Sequence, residues 1–225
     1  MRRTPPCGWL GLQREATMTL ETWAAFALAS AILLAIPGPT ILLVISYALG
    51  HGRRPAAAIV AGVALGDLTA MTASMLGLGA VLAASAALFT GLRWIGGAYL
   101  VYLGIKLWRA PVQPLEAAPV QNDRLARIGF HAFAVTALNP KSIVFFVAFV
   151  PQFIEASAPL LPQVAVMELT FVTLAALNAA LYGWLAASAR ARFASVTARR
   201  AVNRAGGGLL MGAGLLAAGW RKAAA

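Results

Sequence analysis

The sequence predicts an all-α membrane protein with six transmembrane helices, arranged as two inverted three-helix repeats, with the first and fourth helices broken at proline. Three observations predict this fold: the apolar composition, a proline-interrupted apolar segment in each half, and a repeated order of short motifs. Of 225 residues, 60% are hydrophobic and only 11% are charged, and the mean hydropathy is +0.78. A soluble domain carries about 25% charged residues, so these values indicate a chain that crosses a membrane several times.

The apolar segments place the six helices in order along the chain. About 20 apolar residues span a bilayer as a helix. The predicted helices are residues 23–49, 56–76, 92–107, 130–153, 164–187 and 203–220. Residues 77–91 are also apolar and uncharged, and they either extend the second helix or form a re-entrant hairpin.

The same segments divide the chain into two halves and a linker. We expect a disordered N-terminal tail at residues 1–17, a first repeat at 18–110, a cytoplasmic linker at 111–128 and a second repeat at 129–222. Arg2 and Arg3 raise the alternative of a signal peptide, but the apolar run starts much later and lacks an A-x-A cleavage site. The first helix is therefore expected to be uncleaved.

The first helix is interrupted at residues 36–40, Ile-Pro-Gly-Pro-Thr. The two prolines lack amide hydrogens, so the carbonyls of Leu33 and Ala35 lose their helical donors. In hydrocarbon such groups are tolerated only where protein or a water-filled cavity satisfies them, and broken helices commonly build transporter binding sites. The candidate substrate-binding residues at this break are Pro37, Gly38, Pro39 and Thr40.

The fourth helix has a corresponding break, and its candidate substrate-binding residues are Asn139, Pro140 and Lys141. Asn is a favoured N-cap and Pro a favoured first helical residue, so a half-helix should begin at Pro140. Its free amides attract anions, Lys141 adds a full charge at the same end, and Pro39 begins a similar half-helix. Two such ends suit a carboxylate. The alternative is that Lys141 snorkels to a lipid headgroup and Pro140 only kinks the helix.

Asp67 and Glu168 are the carboxylates placed inside predicted helices. An acidic residue at the bilayer centre costs about 2.5–3.5 kcal/mol and usually faces a bundle interior on an ion, proton or substrate path. We therefore predict that both couple transport to protons, with Asp67 deeper in its helix and Glu168 nearer an end. The alternative is a structural ion pair with Lys141 or a helix–helix hydrogen bond.

Other polar residues give weaker signals. Asn178, one turn from Tyr182, is a further candidate for substrate binding, although helix packing explains the pair equally well. His51 and His131 lie near the predicted membrane surfaces, where core or interface roles outweigh metal binding. No nucleophile, zinc or phosphate-loop motif is present, and the single cysteine, Cys7, excludes an internal disulfide. The sequence predicts no enzyme, cofactor or metal site.

The second half of the chain repeats the order of motifs in the first. Residues 39–41 match 141–143, residues 67–69 match 168–170, and the glycines of 96–104 match those of 206–214. Three helices per repeat is an odd number, so the halves lie upside down relative to each other, with the site near midplane. The paired glycines, Gly96, Gly97, Gly206, Gly207 and Gly208, are expected to be close-packing positions.

The basic residues predict the orientation. Eleven Lys and Arg residues lie between the first and second, third and fourth, and fifth and sixth helices, against three on the other side. Cytoplasmic loops are the basic ones, so both termini are expected to face the periplasm. The net charge of +11 does not suggest nucleic acid, because the arginines lie between helices rather than on one face.

Taken together, these residues resemble the lysine exporter family of bacterial amino-acid efflux proteins, which includes homoserine, homoserine-lactone and threonine exporters. The resemblance covers residues 18–220 and departs at the arginine-containing tail before Met18. It rests on residues 36–39, on Arg53, Gly62 and Gly66 before Asp67, on residues 96–106, on Asn139-Pro140-Lys141, and on Phe145-Phe146 and Pro151-Gln152-Phe153. It implies an exporter of amino acids or close derivatives in the bacterial inner membrane, powered by the proton gradient.

The resulting hypothesis is proton antiport of a zwitterionic amino acid, with the two halves rocking around the site. The positive helix ends and Lys141 would hold the carboxylate, and Asp67 with Glu168 would meet the amino group or a proton. Protons, the amino acid and lipid are the expected partners, and small-residue faces permit a homodimer without requiring one. The alternatives are a metal-cation exporter, which would need more metal ligands inside the helices, and an intramembrane enzyme or non-transporting assembly factor.

Overall fold

The computed structural model describes residues 18–84, 86–111, 124–155, 158–188 and 196–219, and all regular structure in them is helical. The predicted tail at 1–17 and most of the predicted linker lie outside the described residues. The helices are α1 (Leu20–Ala35), α2 (Pro39–His51), α3 (Ala56–Ala84), α4 (Ala86–Arg109), α5 (Leu125–Ala137), α6 (Pro140–Ala148), a 3-10 helix η1 (Val150–Phe153), α7 (Leu160–Ser188) and α8 (Val196–Gly219).

The predicted proline breaks in the first and fourth helices are present. α1 begins after Thr19, whose hydroxyl caps the amide of Thr22 at 3.2 Å, and it ends before Pro37. The axis bends by 54° between α1 and α2, and by 43° between α5 and the segment Pro140–Phe153. Each bent pair together is long and apolar enough for one membrane span, and so are residues 56–79 of α3 and helix α7 alone.

Several helix ends differ from the prediction. Residues 77–84 continue α3 and residues 86–91 begin α4, because no proline interrupts this apolar stretch. α5 starts at Leu125 and α8 at Val196, both earlier than predicted. The added first turns contain arginine, which has a high helix propensity, so these helices continue past the apolar residues that mark a span.

The helices of the two halves interleave. α3 packs against α5, α6 and α7, while α7 packs against α1, α2 and α3. α2 also contacts α5, so α2, α7, α3 and α5 form a closed ring, and the breaks between α1 and α2 and between α5 and α6 lie at its edge. Many large apolar side chains point outward, among them Leu161 at 79% exposure, as expected for a surface that meets lipid tails.

Glycines allow α4 and α8 to approach at backbone distance. A Cβ on Gly104 would lie 2.6 Å from the Gly207 carbonyl oxygen, and a Cβ on Gly207 would lie 2.6 Å from the Gly104 carbonyl oxygen. Gly214 faces the Gly97 backbone in the same way, at 2.5 Å. The predicted close-packing role is therefore confirmed for Gly96, Gly97, Gly206 and Gly207, whereas Gly208 has only ordinary contact with the ring of Trp108.

We expect Gly207→Ala to destabilise the protein and Gly212→Ala, on the same helix, to leave stability unchanged or higher. The Gly207 Cβ would clash with backbone, which cannot rotate away, and overpacking typically costs about 1–3 kcal/mol. A Cβ on Gly212 would meet nothing within 4 Å. Thermal unfolding of both variants in detergent checks this, and equal midpoints would contradict the close packing of α4 on α8.

Candidate functional site

The break at residues 36–40 removes the usual i+4 amide donors from the last carbonyls of α1, as the prolines predict, and the carbonyl of Leu33 accepts the amide of Ile36 at 3.2 Å. Helix α7 supplies two of the replacements. The amide Nδ2 of Asn178 donates to the carbonyl of Leu34 at 3.0 Å, and the hydroxyl of Tyr182 donates to the carbonyl of Ala35 at 2.8 Å. One turn of α7 therefore holds the end of α1 in place.

Lys141 supplies the remaining donors from α6. Its ammonium donates to the carbonyl of Leu33 at 3.0 Å and to that of Ile36 at 2.8 Å. The side chain is only 8% exposed, which excludes the alternative that it snorkels to a headgroup. The ammonium therefore also lies at the C-terminal end of α1, where the helix dipole is negative.

The second break has the predicted cap. The side-chain oxygen of Asn139 accepts the amide hydrogen of Lys141 at 3.1 Å, and α6 begins at Pro140. The other side-chain atom of Asn139, Nδ2, donates to the Thr40 hydroxyl at 3.1 Å, and Thr136 donates to the same hydroxyl at 3.2 Å. The two breaks, nearly one hundred residues apart in sequence, therefore meet directly.

Asp67 lies on α3 beside these breaks. It is 2% exposed, its carboxylate has Ser142 as a hydrogen-bond partner, and it is within electrostatic range of Lys141. One carboxylate oxygen, Oδ1, is buried without a hydrogen-bond partner. Burying a charged group without partners is costly, and this oxygen is an unused acceptor beside the two breaks.

A small cavity of about 20 Å³ connects these groups. It is lined by Leu34, Gly38, Thr40, Ile41, Val63, Asp67, Asn139, Lys141, Ser142, Ala175 and Asn178. This volume holds about one water molecule and is too small for an amino acid. Five of the predicted substrate-binding residues line it, whereas Pro37, Pro39 and Pro140 shape it by ending or starting helices.

Glu168, the second predicted coupling carboxylate, is not brought to this cavity. It accepts a hydrogen bond from the hydroxyl of Thr72 at 2.5 Å, between α7 and α3. The neighbouring Thr170 accepts the indole N–H of Trp23 at 3.0 Å. Glu168 thus takes part in the helix–helix hydrogen bond that the sequence leaves open as the alternative to proton coupling.

Two residues of the site were not predicted from sequence. Ser142 hydrogen-bonds Asp67, and Thr136 reaches Thr40. Ser142 carries a usable signal, because it occupies the first turn of the half-helix that begins at Pro140. Thr136 carries none, since its role depends on which helices pack together. Tyr182, which the sequence pairs with Asn178 as a ligand donor or a packing residue, donates to the end of α1.

Comparisons with known proteins give matches over most of the chain. The family model of LysE type translocators matches residues 31–219. An uncharacterized membrane protein of Vibrio cholerae serotype O1 is 35% identical over 202 residues, covering 89% of this chain and 98% of its own length. A homoserine/homoserine lactone efflux protein of Salmonella typhi is 34% identical over 206 residues, covering 92% and 100%. A leucine efflux protein of Enterobacter sp. is 30% identical over 140 residues, covering 62% and 66%. No solved structure matches the chain.

Proposed function

The chain belongs to the LysE type translocator family, and we propose that it exports amino acids or close derivatives from the cytoplasm by proton antiport. One observation supports this proposal above all others. A buried carboxylate with an open acceptor and a buried ammonium line the same cavity, where two broken helices meet. A zwitterion carries the two opposite charges that such a site would match.

The open oxygen of Asp67 would accept the substrate's amino group. An ammonium has three donors, and Lys141 uses two of them on the carbonyls of α1, so one remains for a substrate carboxylate. The N-terminus of α2 adds free amides beside the cavity, because its N-cap, Gly38, has no side chain to satisfy them. The uncharged remainder of the wall favours a substrate with an uncharged side chain.

Coupling would follow from competition at one carboxylate. Ionised Asp67 binds the substrate ammonium, whereas a proton on Asp67 removes the charge that holds it. A proton arriving from the periplasm would therefore release the amino acid there, and loss of that proton to the cytoplasm would restore the site. We assign coupling to Asp67 and a packing role to Glu168, since only Asp67 lines the cavity.

The proposed architecture is six transmembrane helices in two inverted repeats, with α1–α2 and α5–α6 each counted as one broken span. Equivalent contacts across the halves support it: α3 packs on α5 and α6, as α7 packs on α1 and α2, and α4 pairs with its counterpart α8. The basic loops support an orientation in the bacterial inner membrane with both termini on the periplasmic side. Because the cavity holds only about one water, the halves must separate to admit substrate.

Transport by the purified protein in proteoliposomes tests this function. Vesicles loaded with unlabelled homoserine or leucine should exchange it for the same labelled amino acid outside, and an imposed pH gradient should drive net accumulation against concentration. Protein-free vesicles are the control for leak. If no amino acid with an uncharged side chain is exchanged and a divalent metal ion is taken up, the proposed amino-acid export would be wrong and the metal-exporter alternative would be favoured.

A further inference from the structure

Tyr47 and His131 join α2 to α5, and these helices belong to different halves. The Tyr47 hydroxyl and the imidazole Nδ1 of His131 are 3.0 Å apart, and the two rings meet edge to face. With a rise of about 1.5 Å per residue, Tyr47 lies about 10 Å along α2 from Thr40. His131 precedes Thr136 on α5, and α5 runs antiparallel to α2. The Tyr47–His131 contact therefore lies beyond the cavity, on the side of the Arg53 loop.

The position of this contact in the helix ring gives it significance. The cavity is lined by residues of α1, α2, α3, α7 and the start of α6. On the side of the Arg53 loop, α2, α7, α3 and α5 form a ring in which each helix packs on the next. Of the four sides, the seam between α2 and α5 is the least extensively packed. A ring opens most easily where the fewest contacts must break, and on this side Tyr47–His131 is a direct hydrogen bond across the seam.

His51 lies one turn beyond Tyr47 on α2, and the centroids of the two rings are 5.7 Å apart. Both of its ring nitrogens are buried and have no hydrogen-bond partner. A buried polar group without a partner is destabilising, so the closed seam carries a cost that water would relieve on opening. Tyr47 and His51 therefore act in opposite directions: the hydroxyl of Tyr47 favours the closed seam, and the imidazole of His51 favours the open one.

We propose that Tyr47 and His131 form the cytoplasmic gate of the transport path, with His51 setting how readily it opens. This inference rests on the proposed function for the direction of transport and for the side called cytoplasmic. At the opposite end of the molecule, α1 and η1 meet through Phe26 and Phe153, whose rings are 5.5 Å apart. Apolar rings close that end and a hydrogen bond closes this one, so the protein is in an occluded state.

Side-specific labelling of the cavity tests the gate. In the full chain with its single cysteine removed by Cys7→Ser, Ala175→Cys places a thiol of modest size on the cavity wall. A membrane-impermeant maleimide is then added to inside-out and to right-side-out vesicles, and the labelling rate is measured. No amino acid is needed, so the result is independent of which substrate the protein carries.

Tyr47→Phe, which removes only the hydroxyl, should raise the rate in inside-out vesicles by about two- to tenfold, the effect of one hydrogen bond. His51→Leu should lower it, and Tyr102→Phe, on the exposed face of α4, should not change it. Neither Tyr47→Phe nor His51→Leu should raise the labelling rate in right-side-out vesicles. Equal acceleration from both sides by Tyr47→Phe, or no acceleration at all, would overturn the gate. Failure of exchange in proteoliposomes with these labelling changes intact would overturn only the proposed substrate.

Discussion

Replacing Asp67 with Asn is expected to abolish proton-driven accumulation while the folded protein remains. The substitution keeps the size of a side chain that is 2% exposed and removes only its ability to ionise. A neutral amide cannot alternate between a proton and an ammonium, so an imposed pH gradient loses its effect on transport. Binding also weakens, because a hydrogen bond to a charged group is worth about 1.5–3 kcal/mol, which corresponds to about a 10- to 150-fold loss of affinity.

The measurement is pH-driven uptake by everted vesicles, compared with exchange of labelled for unlabelled substrate without a gradient. Glu168→Gln is the matched control, since it makes the same chemical change on a carboxylate that hydrogen-bonds Thr72 outside the cavity. The control should keep its response to the gradient. Accumulation by Asp67→Asn at every pH, or equal loss in both variants, would remove Asp67 from the coupling step.

The contrast between these two carboxylates shows what sequence can and cannot predict. Both occupy matching positions of the predicted repeat, and both are costly in a membrane, so the sequence pattern does not distinguish them. Their difference arises from packing: α3 turns Asp67 toward the two breaks, while Glu168 meets a hydroxyl on α3. Which face of a helix meets which neighbour is a property of the assembled bundle, so the sequence alone could not separate the two roles.

The breaks show the same division between local and distant causes. The missing amides of Pro37 and Pro39 are a covalent fact, and the chain therefore identifies Leu33 and Ala35 as carbonyls that need new donors. The donors themselves, Lys141 and Tyr182, lie more than one hundred residues away. The sequence therefore shows which carbonyls need donors, whereas the side chains that supply those donors depend on tertiary contacts. The helix starts at Leu125 and Val196 differ from the prediction for a simpler reason, since helical hydrogen bonding continues where apolar composition stops.

Lys141→Met should cause the second large effect, a loss of stability together with loss of export. Methionine fills similar space without a charge, so the carbonyl of Ile36 loses the donor that holds it at 2.8 Å, while that of Leu33 keeps the amide of Ile36 at 3.2 Å. Asp67 is left buried with no compensating charge. A buried carbonyl left without a donor costs about 1–3 kcal/mol, and the uncompensated buried carboxylate adds to this cost, so the thermal unfolding midpoint in detergent should fall.

The double variant Asp67→Asn/Lys141→Met separates the two causes of that loss. If electrostatic compensation between the side chains matters, neutralising both should recover part of the stability that Lys141→Met loses, because the uncompensated carboxylate is gone. The part not recovered then measures the missing donor at the end of α1. Strict additivity of the two single variants would show that Lys141 acts only as a cap for α1, and the zwitterion site would then lack its cation.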